Sequence, residues 1–134
     1  MTASTRVYDV TLTTVDATHA TTAVALTTIP GEITRVNFYR SASAGGAAEV
    51  HARFFRDAAK TKLICTFDLT ASTSPVMPAD TEHAAIDYEN CPFQACYMTA
   101  ATDAGTITGN LQITVQHPES PDILDKPSTL TITS

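Results

Sequence analysis

The chain has no tryptophan, only three cysteines and only eight lysine or arginine residues in 134. Each shortage removes a class of function. Without tryptophan the side chain that stacks best on a sugar ring is missing, and the tyrosines (Tyr8, Tyr39, Tyr88, Tyr97) are scattered rather than gathered into a platform. The eight basic residues stand against fourteen acids, a net charge of −6, so a clustered basic surface for a phosphate backbone is absent and no nucleic-acid partner is expected. No apolar run approaches the ~18 residues that a membrane helix needs, so no membrane partner is expected either. The opening MTASTRVYDV lacks the basic segment and apolar core of a secretory signal, which predicts synthesis and folding in the cytoplasm without a signal peptide. Cys65, Cys91 and Cys96 are too few for a disulfide framework. The Cys91–Cys96 spacing is neither a redox C-x-x-C nor a zinc knuckle, and whether those two pair is left open.

What the chain does have is threonine, at 24 of its 134 positions. Threonine is β-branched and stiff at its first side-chain torsion, so it suits a pleated surface better than a helix. The pattern agrees. From Ala48 to Leu69 two alternating runs flank the polar segment Arg56–Thr61, which predicts a β-hairpin with Val50, Ala52, Phe54, Leu63, Cys65, Phe67 and Leu69 facing inward and the turn in water. Further strands are predicted over 6–14, 21–29, 33–40, 85–88, 94–99 and 106–116, the last being the cleanest. Pro30-Gly31 has the order of a type II turn. Gly109, on the inner face of the last long strand, predicts a bulge or a close backbone approach. The proline-containing stretch 70–84 has no periodicity, with a helical turn as an option near Asp80–Ala85. Seven to eight short strands and no internal repeat predict an all-β, single-domain antiparallel β-sandwich, jelly-roll or Ig-like. The division is an N-terminal arm over 1–5, the sandwich over 6–117, and a Pro-containing C-terminal arm or final strand over 118–134.

No catalytic, cofactor or metal site is expected. There is no G-x-S-x-G elbow. His19, His51, His83 and His117 fall in four separate segments and read as exposed residues rather than zinc ligands. Asp80, Glu82, Asp87 and Glu89 around His83 lack the Asp/Asn-Gly regularity of a calcium loop and read as solvated. Charge is unevenly spread: net −2 over residues 1–32, net +4 over 33–62 and net −8 over 63–134. A basic patch of Arg53, Phe55, Arg56, Lys60 and Lys62 therefore stands out as a candidate protein interface, able to meet an acidic surface on a neighbour.

The segments ITRVNFYRS, EVHARFFRDAAKTKLICTFDL and GNLQITVQ resemble small β-sandwich virion proteins of tailed bacteriophages, over residues 33–116. That resemblance implies a capsid decoration or cement protein that binds the major capsid protein and copies of itself, as a homotrimer or homodimer, on the capsid surface. A tail or head–tail accessory, or a binding module for a glycan or host receptor, is the alternative. All of these are non-enzymatic and need no cofactor.

Overall fold

Side-chain alternation sets the layers. Along Thr106–Pro118, residues Ile107, Gly109, Leu111, Ile113, Val115 and His117 are all buried while their neighbours are not. One face of this strand closes the core and the other meets water. The computed structural model describes residues 3–73, 75–118 and 128–133. Within them are ten strands: β1 (Ala3–Val15), β2 (Val24–Thr27), β3 (Gly31–Ala44), β4 (Val50–Phe55), β5 (Leu63–Leu69), β6 (His83–Asp87), β7 (Pro92–Phe93), β8 (Cys96–Thr102), β9 (Thr106–Pro118) and β10 (Thr129–Thr133).

The strands form a β-sandwich of two sheets, the fold class that the strand spacing predicts. One sheet runs β10-β1-β9-β3-β6, with β7 also on β3; the other runs β2-β8-β4-β5. Pairing is antiparallel except between β1 and β10, which run parallel with Asp9 opposite Thr129 and Thr13 opposite Thr133. Phe38, Phe54 and Phe67 are fully buried between the layers. Each contributes about 1.5–3 kcal/mol of apolar burial.

Three local expectations change. No helix exists among the described residues, and the stretch near Asp80 leads directly into β6 at His83. β1 begins at Ala3, paired with Pro118, inside the stretch read as an N-terminal arm. Gly31 is not the left-handed corner of a type II turn; it opens β3, where an added Cβ would meet the His117 ring and Val115 at 2.8 Å. At Gly109 the expected close approach is present, because a Cβ there would lie 2.2 Å from the Tyr39 carbonyl oxygen. The backbone register of β3 against β9 shifts beside it, between Arg40 and Ala42.

His117 explains the tight fit at Gly31. It is 1% exposed, not a surface histidine. Its Nδ1 lies 2.8 Å from the Pro30 carbonyl oxygen, and its Nε2 lies 2.7 Å from the Tyr8 hydroxyl. A carbonyl can only accept, so Nδ1–H donates to Pro30 and Nε2 accepts from Tyr8. The ring ties β1, β9 and the start of β3 together as a satisfied core residue.

Candidate interaction surfaces

The hairpin turn is built on Asp57. Its carboxylate accepts the backbone N–H of Thr61 and Lys62, each at 3.0 Å, while Arg56 N–H donates to Lys62 O at 2.8 Å. The Thr61 hydroxyl, followed by these amides, holds the Asp57 carboxyl below its ordinary range. The turn does not stand free in water. Ala23 N–H donates to Ala58 O at 3.0 Å, and Lys60 Nζ donates to Ala20 O at 2.6 Å. The connection between β1 and β2 covers one side of the turn.

The basic patch is consequently smaller than the alternation predicts. Arg53 and Lys62 are exposed. Arg56 is exposed but donates to the Pro92 carbonyl at 3.1 Å, and Lys60 is half-buried. Phe55, predicted to face outward, is only 6% exposed. Against β8 the alternation is regular, with Phe54 opposite Met98 and Phe55 opposite Tyr97, so Phe55 keeps the face away from Phe54 and is covered there. The register shifts on β5, where Cys65 pairs with Phe54 and Leu63 with Phe55, so Leu63, predicted inward, lies on the Phe55 side and is 51% exposed.

On the outer face of the four-stranded sheet, two histidines behave in opposite ways. His51 Nδ1 lies 2.6 Å from Asp68 Oδ1 and its Nε2 lies 2.9 Å from Glu49 Oε1. Burial pulls its pKa down, but hydrogen bonds to Asp68 and then Glu49 outweigh this and raise it above the ordinary value. His19 Nδ1 meets the Thr99 hydroxyl at 2.9 Å. Burial, then the positive charge of Arg53, lowers its pKa to about 4, so it stays neutral where His51 gains a proton. Among the described residues no group of three or more His, Cys, Asp or Glu side chains is arranged to hold a metal ion.

The acidic residues around His83 separate into individual roles. Asp87 forms an exposed ion pair with Arg35 at 3.3 Å. Asp80 Oδ1 lies 2.8 Å from Arg40 Nε, off the line of that N–H, so the two form an ion pair without a hydrogen bond there. Arg40 also donates to Pro78 O at 2.9 Å, to Ala47 O at 3.2 Å and to the Ser43 hydroxyl. Its own backbone accepts from Thr81 N–H at 2.6 Å. One guanidinium thus binds the irregular chain before β6 to β3.

The two long sides of the sandwich differ. On the β5/β6 side Tyr88 O–H donates to Thr66 O at 2.7 Å, and burial, with Cys91 next, pushes the Cys65 thiol up. All three cysteines are free thiols. On the β10/β2 side the layers gape. A cleft of about 270 Å³ is lined by Tyr8, Leu26, Thr27, Ser128 and Leu130. A second, of about 290 Å³, is lined by Val15, His19, Val24, Met98 and Ile132. Leu130 and Ile132 are half-buried between them.

The fold is thus a two-sheet β-sandwich with a parallel strand added at one edge. No protein-family model and no curated protein sequence matches the chain. Among solved structures it is similar to a chain of Bacillus endospore appendages, described as a novel family of disulfide-linked pili. Identity is 15%, over 89% of this chain and 88% of that one, with a TM-score of 0.49; this is a likeness of fold. It overturns the resemblance to phage virion proteins drawn from the hairpin pattern, because the structure matched is a spore appendage and not a virion component. The capsid-decoration role, the major capsid protein as partner and the capsid-surface location are withdrawn with it. The reason is physical: alternating strands around a polar turn are what any half-buried hairpin requires, whatever particle carries it.

Proposed function

We propose that the protein is a non-enzymatic structural subunit that assembles with copies of itself, using its C-terminal strand as an exchangeable arm. The observation that carries the reading is β10. It is five residues long, lies parallel on the outer edge of β1, and leaves Leu130 and Ile132 half-covered beside two clefts. Ten residues separate Pro118 from Thr129, a tether of up to about 33 Å when extended. The β1 edge of a neighbouring copy offers the same partners, Asp9 to Thr13, so exchange recreates the same contacts at low cost. Repeated head to tail, such an exchange gives rings or open fibres.

A second contact uses charge. Arg53 and Lys62 are exposed on the basic part of the chain, and residues 63–134 carry net −8. A neighbour's acidic surface is a fitting partner for them. The polar groups favour a structural role over catalysis: the hydroxyls bonded to His117 and His19, on Tyr8 and Thr99, are 1% and 2% exposed and closed to a substrate.

The test places a photo-reactive phenylalanine analogue at Thr131 and irradiates the purified full chain. Products joining position 131 to β1 of a second chain, in covalent oligomers, are expected. Cross-links confined to β1 of the same chain, with a monomer in light scattering at all concentrations, would sink the proposal.

A further inference from the structure

We infer that copies of this chain stack end to end, with the β4–β5 turn of one copy seated on the acidic opposite end of the next. Stacking rests on the self-assembly proposed above and gives it a direction. Strand register sorts the charged residues by end. Val50 pairs with Thr102 and Phe55 with Tyr97, so the turn 56–62 lies at one end of the sandwich and Glu49 and Asp103 lie at the other. Thr102 N–H donates to Asp16 O at 2.9 Å, which brings Asp16 to that second end. On the six-stranded sheet Arg40 pairs with Gly109 near the start of β9, and it places Asp80 and Glu82 at the same end: Asp80 as its ion-pair partner, Glu82 through a carbonyl that accepts Arg40 N–H at 3.0 Å. Arg40 and His51 are the nearest cations, and each is already engaged, Arg40 by Asp80 and His51 by Glu49 and Asp68. Among the described residues this end is net negative.

The turn end is the complement. Arg53, Arg56, Lys60 and Lys62 stand there against Asp57, whose carboxylate is taken up by the Thr61 and Lys62 amides. Glu32 and Glu89 share this end but belong to the other sheet and its β6–β7 link, so the positive charge is confined to the four-stranded half. On the acidic end Glu49 and Asp103 occupy that same half, before β4 and after β8. The links that carry them, 45–49 and 103–105, otherwise hold only glycine and alanine, so no bulky side chain keeps a neighbour's turn away. A shift of one copy along the strand direction therefore joins opposite charges with each sheet kept in line, a heterologous contact that repeats without closing. The same shift serves the arm. Pro118 lies at the turn end, paired with Ala3, and in the stack it faces Val15 of the next copy. Asp9 is six residues from Ala3 and six from Val15, about 20 Å of strand either way, so the tether reaches β1 of its own copy and of the next alike.

The test couples the native full-length chain with a water-soluble carbodiimide at low salt and maps the peptides. The reagent joins a lysine amine to a carboxylate in direct contact, and within one copy Lys62 is separated from Glu49 and Asp103 by the length of β4, about 20 Å. A Lys62–Glu49 or Lys62–Asp103 amide, found in dimers and larger oligomers and reduced about tenfold at high salt, is the expected product. A second arm uses two charge-reversed chains, one with Arg53→Glu and Lys62→Glu, the other with Glu49→Lys and Glu82→Lys. Each alone should lose salt-sensitive association in sedimentation, and an equimolar mixture should recover it, because ends of opposite sign are again present. Lys62 coupled only to carboxylates of its own end, either variant associating alone as wild type does, or a mixture of the folded variants that stays monomeric would each overturn stacking. The arm is judged separately. Lys62 cross-links that survive deletion of 128–134 uphold stacking without exchange, whereas Thr131 cross-links to a second chain with no such Lys62 products uphold exchange and refute stacking.

Discussion

The two long sides of this sandwich solve the edge problem differently. On the β5/β6 side the layers are tied by Arg40 and by Tyr88 O–H on Thr66 O. On the β10/β2 side two short strands of five and four residues face each other across clefts, and their apolar residues are only partly covered. An unpaired edge is a template for another chain, and natural sandwiches usually cover or charge it. Here one side is covered from within. The other is covered by β10, the strand proposed above to exchange between copies, and on that reading stability and assembly fall on opposite sides of one small domain.

The strongest way to break that division is to cut the tied side. Arg40→Leu removes donors to Pro78, Ala47 and Ser43 and leaves the Asp80 carboxylate without its cation. A loss of roughly 3 kcal/mol in urea denaturation is expected, since buried charge-assisted bonds cost about 1.5–3 kcal/mol each to lose and solvent recovers part of it. Amide exchange at Thr81 and Glu82 should quicken, because their N–H groups donate to Arg40 O and Ala79 O. A loss below about 1 kcal/mol, with unchanged exchange, would mean that packing alone closes this side.

The matching change on the open side is deletion of residues 128–134. Two half-buried aliphatic side chains and five backbone pairings are lost. About 2 kcal/mol is expected from apolar burial discounted for exposure. Self-association, read by light scattering, should disappear. If the deletion unfolds the domain, β10 is an integral strand and the contrast between the sides fails.

How far was this contrast legible in the sequence? The layers were. Period-two alternation along Ile107–Val115 and Val50–Phe54 placed those residues inside, because one buried sheet face demands it. Single-residue register shifts were not, and one of them, on β5, put Leu63 on the outward side opposite Phe55. Nothing in Leu63-Ile64-Cys65 distinguishes a regular run from a bulge. Nor could local pattern reveal His117, whose burial depends on Tyr8, 109 residues away, and on Pro30. A weak signal did exist: Gly31 and His117 both lie where a strand meets a proline, and small-beside-large pairs of this kind mark close packing. The Tyr88 bond to Thr66 O joins residues 22 apart, and spacing arguments consider only neighbours in the chain. The acidic residues near His83 were legible as a cluster but not as partners of Arg35 and Arg40, for the same reason.

Acidity sharpens the comparison, because each side owns one of the two perturbed histidines. His19 lines the open-side cleft, and His51 bonds Asp68 on the closed-side strand β5. His51 has a raised folded pKa, so its stabilisation is full below the unfolded value of about 6.5 and is lost as pH rises through the folded pKa. His19 has its folded pKa lowered to about 4. Its contribution is therefore full above about 6.5 and is lost as pH falls from there toward the folded value. Histidine ring NMR should show His19 neutral down to about pH 4 and His51 charged past pH 6.5. Two coincident titrations near pH 6.5 would remove this asymmetry.

The smallest effect on stability is expected at the basic patch. Arg53 and Lys62 are exposed, so Arg53→Glu with Lys62→Glu should change unfolding free energy by no more than about 0.5 kcal/mol each. Reversing the charge of two residues proposed to face an acidic neighbour should nevertheless slow association severalfold, and the difference from wild type should shrink as salt is added. Arg56 and Lys60 are poorer probes, because their donors hold Pro92 O and Ala20 O and their loss would disturb the turn itself. Analytical ultracentrifugation of the double variant at low and high salt separates the cases. Assembly equal to wild type at both would assign association to the β10 side alone, leaving the hairpin as the element that carries Phe54 and Phe67 into the core.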